Sequence, residues 1–152
     1  MQSFELNIFI DRSRNQVFDH LSEPINMIGL RPPLTTIDIM KEQKDAEGIV
    51  LRPFYTVDTF RWAGLPIFRT RIYSVIQLTK PKTEMELRVY GKLGVRLIYQ
   101  YEFHEVDVNR THLVQKVTFA QVNKLIEDMV FNQAKTTQRA VLTNLKVRLE
   151  KR

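Results

Sequence analysis

The fold is decided by residues 123–152, NKLIEDMVFNQAKTTQRAVLTNLKVRLEKR, which predict one long amphipathic helix. The stretch contains neither Gly nor Pro, and about 28 helical residues would span roughly 40 Å. Apolar residues recur in it at steps of three, four and seven: Ile126, Met129, Val130, Ala134, Val141, Leu145 and Leu149. Asn123 is the predicted N-cap, because its side chain can accept from a free N–H of the first turn. A helix of this length needs a large apolar partner, which the preceding residues must supply as a sheet.

Upstream of the helix, the chain predicts strands and two short helices. Phe4, Leu6, Ile8 and Ile10 recur at the two-residue period of a half-buried strand. Short helices follow at Val17 to Leu21 and within residues 25–30, between prolines. Short gaps with turn residues then separate six strands and predict antiparallel hairpins: 34–43, 49–62, 67–79, 84–90, 95–106 and 111–122. We therefore expect an α+β fold with a seven-stranded sheet.

The totals describe an ordinary globular chain. Its 152 residues suit a single domain, residues 1–152, and hydrophobic residues at 43% can build a real core. There is no Cys, which excludes disulfides and thiolate chemistry. Neither a signal peptide nor a run of about 18 apolar residues is present. We therefore expect a cytoplasmic protein.

The net charge of +6 and the pI of about 9.7 allow attraction to anionic partners. Basic and acidic residues are interleaved, and Arg69 and Arg71 lie on a strand next to the one that carries Glu84 and Glu86. Opposite charges on neighbouring strands stabilise a wet sheet face. The sequence therefore predicts no nucleic-acid binding, and at most transient contact with an anionic membrane.

Two segments carry a resemblance to a known family. They are residues 17–24, VFDHLSEP, followed by Pro32-Pro33-Leu34, and residues 140–150, AVLTNLKVRLE. With the order of elements, they resemble the START-like or Bet v 1-like (SRPBCC) superfamily, which includes bacterial polyketide cyclase/dehydrase-like proteins. The resemblance spans nearly the whole chain. It implies a helix-grip fold, in which a curved sheet wraps the C-terminal helix and leaves an apolar cavity between them.

Strand parity and the middle of the long helix predict the side chains that face such a cavity. Tyr99, Tyr101, Gln115 and Ser74 bring polar groups to the inner face, where each needs a partner. A concave apolar space with a few converging polar groups is the usual form of a small-molecule site. The predicted ligand-binding residues are Ile72, Ser74, Leu87, Tyr99, Tyr101, Phe103, Gln115, Phe119, Met129, Gln133 and Thr137.

The sequence does not decide which face of the strand 49–62 points inward, because its odd-numbered and its even-numbered residues both include large apolar side chains. Asp58 in this strand would suit acid/base chemistry if it were buried, since burial raises the pKa of a carboxyl group. We expect it instead to point outward into solvent. His104-Glu105 lacks the second His at zinc-protease spacing, and no phosphate loop or nucleophile elbow occurs. No metal, no cofactor and no catalytic residue are predicted.

The sequence therefore predicts non-catalytic binding or transport of a small hydrophobic molecule, such as a lipid, an isoprenoid or a polyketide-like compound. The alternative is an enzyme of the cyclase/dehydratase type that acts in the same cavity, with a tyrosine or a carboxylate as acid/base. A third hypothesis is a regulatory module that binds protein partners or membranes through its basic face. The oligomeric state is not predicted.

Overall fold

The computed structural model describes residues 2–31, 34–62 and 65–151. The strands are β1 (Ser3–Ile10), β2 (Leu34–Ile39), β3 (Gln43–Lys44), β4 (Val50–Trp62), β5 (Leu65–Lys80), β6 (Glu84–Tyr90), β7 (Arg96–Asp107) and β8 (Arg110–Gln121). The helices are α1 (Arg14–Leu21) and α2 (Glu127–Glu150), with 3₁₀ turns at Pro24–Met27 and Lys92–Gly94. The Pro32-Pro33 pair and the predicted turn at Ala63-Gly64 lie outside the described residues.

The described strands form one antiparallel sheet in the order β1-β8-β7-β6-β5-β4-β2, with β3 also paired to β4. Strands β4 to β8 pair as successive hairpins, and β1 pairs with β8. The predicted helix-grip class is confirmed. The predicted number of strands is seven, and the additional one, β3, is only two residues long.

Helix α1 begins with a reciprocal cap. The Gln16 N–H donates to Ser13 Oγ at 3.2 Å, and the Ser13 N–H donates to Gln16 Oε1 at 3.2 Å. This capping box satisfies two N–H groups at the helix start. The apolar face of α1 is buried, and Phe18 packs edge-on against Phe103 of β7 with ring centroids 5.2 Å apart. The short helix is thereby fixed against the sheet.

Helix α2 begins three residues later than predicted, with Ile126 and not Asn123 at the N-cap position, so the expected N-cap is wrong. The Asn123 side-chain oxygen accepts from the Leu125 N–H at 2.9 Å, which is a local turn that competes with a helix cap. Ile126 occupies the cap position without a side-chain hydrogen bond. Glu127 and Asp128 then lie in the first turn, where their charges suit the helix dipole.

Helix α2 packs on the sheet mainly through its C-terminal half. None of residues 127–137 is fully buried, although Phe131 packs edge-on against Phe4 at 5.5 Å between ring centroids. The fully buried residues of the helix are Gln138, Val141, Leu142 and Leu145. Burial of each Leu or Val stabilises the fold by about 1.5–3 kcal/mol, so this half attaches the helix. No described helix has the length and apolar character needed to span a membrane.

The register corrects the predicted neighbours of Arg69 and Arg71 on the outer face. Strand β5 extends past the end of β6, so both arginines lie opposite β4 and not beside Glu84 and Glu86. Arg71 instead lies 3.6 Å from Asp38 of β2. Such exposed pairs contribute little to stability, about 0–1 kcal/mol each.

Candidate functional site

A cavity of about 50 Å³ lies between the sheet, the C-terminal half of α2 and the segment after α1. Its wall is mostly apolar, from Leu21, Met27, Leu30, Ile72, Ile76, Met85, Leu87, Val89 and Val141. Polar groups reach it from Arg31, Thr56, Ser74, Tyr99, Tyr101 and Gln138. The arrangement is that of a small-molecule site, an apolar space with a few polar groups converging on it.

Strand β4, whose inward-facing side the sequence does not predict, turns Phe54, Thr56 and Asp58 inward. Phe54, Thr56 and Asp58 are buried, whereas Tyr55 between them is half-buried. Thr56 lies opposite Ile72 of β5, and both line the cavity. The polar groups on this parity are therefore drawn inside the protein.

Asp58 is buried, so the expected outward orientation is wrong. Only 4% of the residue is exposed, and its Oδ1 accepts from Arg31 Nη2 at 2.8 Å. Burial raises the pKa of Asp58, and the positive charge of Arg31 opposes this shift. Each charge alone would be expensive to desolvate, which explains why they lie together. Arg31 therefore reaches the cavity wall with its charge compensated by Asp58 behind it.

Two residues of the cavity wall, Arg31 and Tyr99, carry hydrogen-bond donors. Arg31 Nε is buried without an acceptor among the described residues. The Tyr99 side chain is buried as well, and burial raises the pKa of its hydroxyl to about 12. The charge of Arg31 lowers this pKa and the charge of Asp58 raises it, and Arg31 and Tyr99 line the same cavity. Tyr99 is therefore a protonated donor at neutral pH.

A buried network joins the sheet to α2 beside the same cavity. Gln115 Nε2 donates to the Tyr101 hydroxyl oxygen at 2.8 Å and to Gln138 Oε1 at 2.9 Å. Gln115 Oε1 is buried without a partner among the described residues. Burial, with the nearby Tyr99, raises the pKa of Tyr101, so its hydroxyl also stays protonated. The network fixes the position of α2 over β7 and β8.

The C-terminal end of α2 holds the segment that closes the cavity. Arg148 donates to the backbone carbonyls of Asn26 and Ile28 at 2.5 and 2.6 Å, and Asn144 donates to the carbonyl of Leu30 at 2.8 Å. Charge-assisted hydrogen bonds of this kind are among the stronger ones in proteins. They position the backbone from which Met27, Leu30 and Arg31 reach the cavity.

Most of the predicted binding residues on the sheet are near the cavity. Those on its wall are Ile72, Ser74, Leu87, Tyr99 and Tyr101. Three others are buried in the surrounding core without bordering the cavity: Phe103, Gln115 and Phe119. A role of these residues in ligand binding stays a prediction.

The three binding residues predicted on the long helix lie away from the cavity wall. Met129 is 61% exposed, Gln133 is exposed, and Thr137 is half-buried, and none of them lines the cavity. Gln138 and Val141 take this place. Gln138 is four residues after Ala134 and three before Val141, so helical spacing puts it on the same face, but its polar side chain gives no apolar signal.

The cavity is small in this conformation. Ligand pockets usually enclose about 300–1,000 Å³, and a water molecule takes about 30 Å³ of liquid volume. A lipid or an aromatic polyketide would therefore need the wall to move outward. The described residues contain no group of acidic, His or Cys side chains that could hold a metal ion.

No family model matches the sequence, and no curated protein matches it. Solved structures do match, over nearly the whole chain. A START superfamily protein from Mycobacterium smegmatis is 10% identical with a TM-score of 0.74, and the match covers 97% of each chain. The Zhui aromatase/cyclase from Streptomyces sp. R1128 is 15% identical with a TM-score of 0.68, covering 99% of this chain and 96% of that one.

A third neighbour is the di-domain aromatase/cyclase BexL of the BE-7585A biosynthetic pathway. It is 14% identical with a TM-score of 0.72, and the match covers 96% of this chain and 45% of BexL. At these identities the likeness concerns the backbone architecture. The chain shares the helix-grip fold of this START superfamily protein and of the two aromatase/cyclases.

Proposed function

We propose that this protein binds and carries a small hydrophobic molecule in the cavity between the sheet and α2. The observation that carries the proposal is the composition of the cavity wall. Apolar side chains supply most of it, and Arg31 adds its Nε, a buried donor that no described residue satisfies. An ordinary core would leave few such groups unpaired, because each buried unsatisfied donor costs about 1–3 kcal/mol.

Admission of a ligand requires an opening, and the N-terminal half of α2 is the part best suited to move. Residues 127–137 contain no fully buried side chain, whereas the other half of the helix is held by Leu142, Leu145 and the Arg148 hydrogen bonds. Segments with few buried contacts open at the lowest free energy. The helix can thus lift at one end while the other end stays docked.

An enzyme of the cyclase/dehydratase type is the second candidate, because two structural neighbours are aromatase/cyclases and Asp58 is buried with a raised pKa. A general base must come within hydrogen-bond reach of the proton that it removes. Asp58 bonds to Arg31 and does not itself line the cavity. This geometry favours the carrier over the enzyme.

The carrier proposal is tested by native mass spectrometry of the protein after mild purification. We expect a co-purified apolar molecule, and we expect Ser74→Leu to remove it, because Ser74 lines the cavity and a larger side chain would fill it. The matched control is Val75→Leu, on the neighbouring, half-buried position of β5. Ligand retained in Ser74→Leu, or lost equally in both variants, would contradict the proposal.

Carrier and enzyme differ in their response to Tyr99→Phe and Tyr101→Phe. A carrier should lose only a modest part of its affinity, since each change removes one neutral hydrogen bond, worth about 0.5–1.5 kcal/mol. An enzyme that uses either phenol as its acid would lose turnover almost completely. Affinity for the recovered ligand, measured beside its conversion, separates the two.

A further inference from the structure

We propose that the ligand presents an uncharged oxygen acceptor, the carbonyl of a ketone, ester or amide, to Arg31 Nε and the Tyr99 hydroxyl. This inference rests on the proposed function, since it names the ligand class of the same cavity. It excludes two other classes of apolar molecule, the plain hydrocarbons and the free carboxylic acids.

The first step is the polarity of the unsatisfied groups. Arg31 Nε can only donate, and it is buried without an acceptor among the described residues. Tyr99 lines the same cavity, and its hydroxyl keeps its proton at neutral pH, so it can donate too. Two donors on the wall of one small cavity are complementary to an oxygen with two lone pairs. A hydrocarbon in this place would leave Arg31 Nε unpaired.

The second step is charge. Arg31 Nη2 already donates to the carboxylate of Asp58 at 2.8 Å, so the positive charge of Arg31 is compensated before any ligand arrives. A ligand carboxylate at Arg31 would approach the buried carboxylate of Asp58, and like charges repel strongly where water is excluded. A neutral carbonyl takes the same two hydrogen bonds without this repulsion. The cavity therefore selects against the anion.

The third step is that the other polar groups of the cavity wall do not require a different functional group on the ligand. The Tyr101 hydroxyl oxygen and Gln138 Oε1 each accept from Gln115 Nε2, and what these two side chains have left to offer, the Tyr101 O–H and the Gln138 amide N–H, are donors as well. The hydroxyls of Thr56 and Ser74 can donate or accept, so they impose no preference. Donors of the wall thus bind the oxygen at one end of the ligand, and the rest of the wall is mostly apolar.

The test compares three probes of nearly the same shape on the wild-type protein at pH 7: 2-acetylnaphthalene, 2-isopropylnaphthalene and 2-naphthoate. We expect the ketone to bind at least about tenfold more tightly than the carboxylate, which pairs poorly beside Asp58. Tighter binding of the carboxylate would overturn the inference and leave the carrier function standing. Binding of none of the three would overturn both.

A variant pair isolates the oxygen contact. Tyr99→Phe should lower the affinity for 2-acetylnaphthalene about fivefold, because one neutral hydrogen bond is lost. The affinity for 2-isopropylnaphthalene should stay unchanged. The matched control is Tyr73→Phe. Tyr73 is half-buried and points to the face of β5 opposite to the cavity-lining Ser74, so its change should alter neither affinity. Equal loss for ketone and hydrocarbon in Tyr99→Phe, or no loss for either, would overturn the inference without touching the proposed function.

Discussion

Gln138 of α2 accepts a hydrogen bond from Gln115 of β8 across the buried interface between helix and sheet, at 2.9 Å. Gln138 is 6% exposed and Gln115 is fully buried. Two amides in such a place are costly unless each finds a partner. This pair therefore fixes both the rotation of α2 about its axis and its height above the sheet.

Gln138→Leu is expected to destabilise the protein by about 1–2 kcal/mol, because it leaves an N–H of Gln115 buried and unpaired. The double variant Gln115→Leu/Gln138→Leu should recover part of this loss, since it removes both polar groups. Urea unfolding midpoints provide the measurement, and the exposed Gln133→Leu on the same helix is the control. A double variant that is less stable than the sum of the two single changes would contradict this account.

The same pair explains why Gln138 is not among the residues of the helix that the sequence predicts to face the cavity. The buried stripe of α2 follows Ala134, Gln138, Val141 and Leu145 at helical spacing, but its second member is polar. The partner that makes Gln138 suitable for burial lies on another element, 23 residues earlier in the chain. Periodicity finds apolar stripes; a polar residue in the stripe becomes intelligible only once its tertiary partner is known.

Gly29→Ala is expected to destabilise the cavity-closing segment by about 2 kcal/mol or more. Gly29 has a φ of +87°, which L side chains rarely adopt, and a Cβ there would lie 2.7 Å from Arg148 Nη2. Arg148 is tied to Asn26 and Ile28, so it can give way only by losing hydrogen bonds.

Gly48→Ala is the matched control for Gly29→Ala. Gly48 has a φ of +83°, but nothing lies within 4 Å of a Cβ built there. Gly48→Ala should therefore lose only about 1–2 kcal/mol of stability, the cost of a positive φ for a residue with a Cβ. Thermal unfolding of both variants measures the difference, which reports the clash with Arg148. Equal losses would show that Arg148 does not clamp the segment.

Arg31→Met is expected to cost about 3 kcal/mol of stability at pH 7, because it leaves the buried carboxylate of Asp58 unpaired. In the variant the charge that opposes the raised pKa of Asp58 is gone, so this pKa should rise further. A carboxyl group whose pKa is raised by folding contributes most to the stability of the protein below its unfolded pKa, and this contribution is lost as pH rises through the folded-state pKa.

The stability gap between wild type and Arg31→Met should therefore narrow as pH falls from 7 towards 4, where Asp58 becomes protonated. Urea unfolding at several pH values measures it. Arg71→Met, which breaks an exposed pair with Asp38, is the control and should cost little at any pH. A gap for Arg31→Met that stays constant with pH would show that Asp58 does not carry the effect.

Most of the sheet could be predicted from the sequence, because β6, β7 and β8 alternate apolar and polar residues along one parity. Strand β4 could not, since Phe54 faces inward on one parity while the half-buried Tyr55 and Val57 share the other. Asp58 was expected outside for a related reason. Its burial depends on Arg31, 27 residues away, and local patterning carries no information on that pair.

His20 is expected to make stability fall as pH is lowered from 8 to 5.5. Burial and, next, the charge of Arg148 lower the pKa of His20 below its usual 6.5, and Arg148 Nη1 lies 3.2 Å from His20 Nε2. The unfolded chain then takes up the proton at a higher pH than the folded protein does. Stability is therefore lost as pH falls through the usual His range, and the loss ends below the folded-state pKa.

Urea midpoints across this range measure the effect in wild type, His20→Gln and Arg148→Met. His20→Gln removes the titrating group and should flatten the curve between pH 8 and 5.5. Arg148→Met keeps the burial of His20 but removes the repelling charge, so its slope should be shallower than that of wild type without vanishing. Parallel curves for wild type and His20→Gln would mean that another group titrates, and that the contact between Arg148 and the imidazole has no part in the pH dependence.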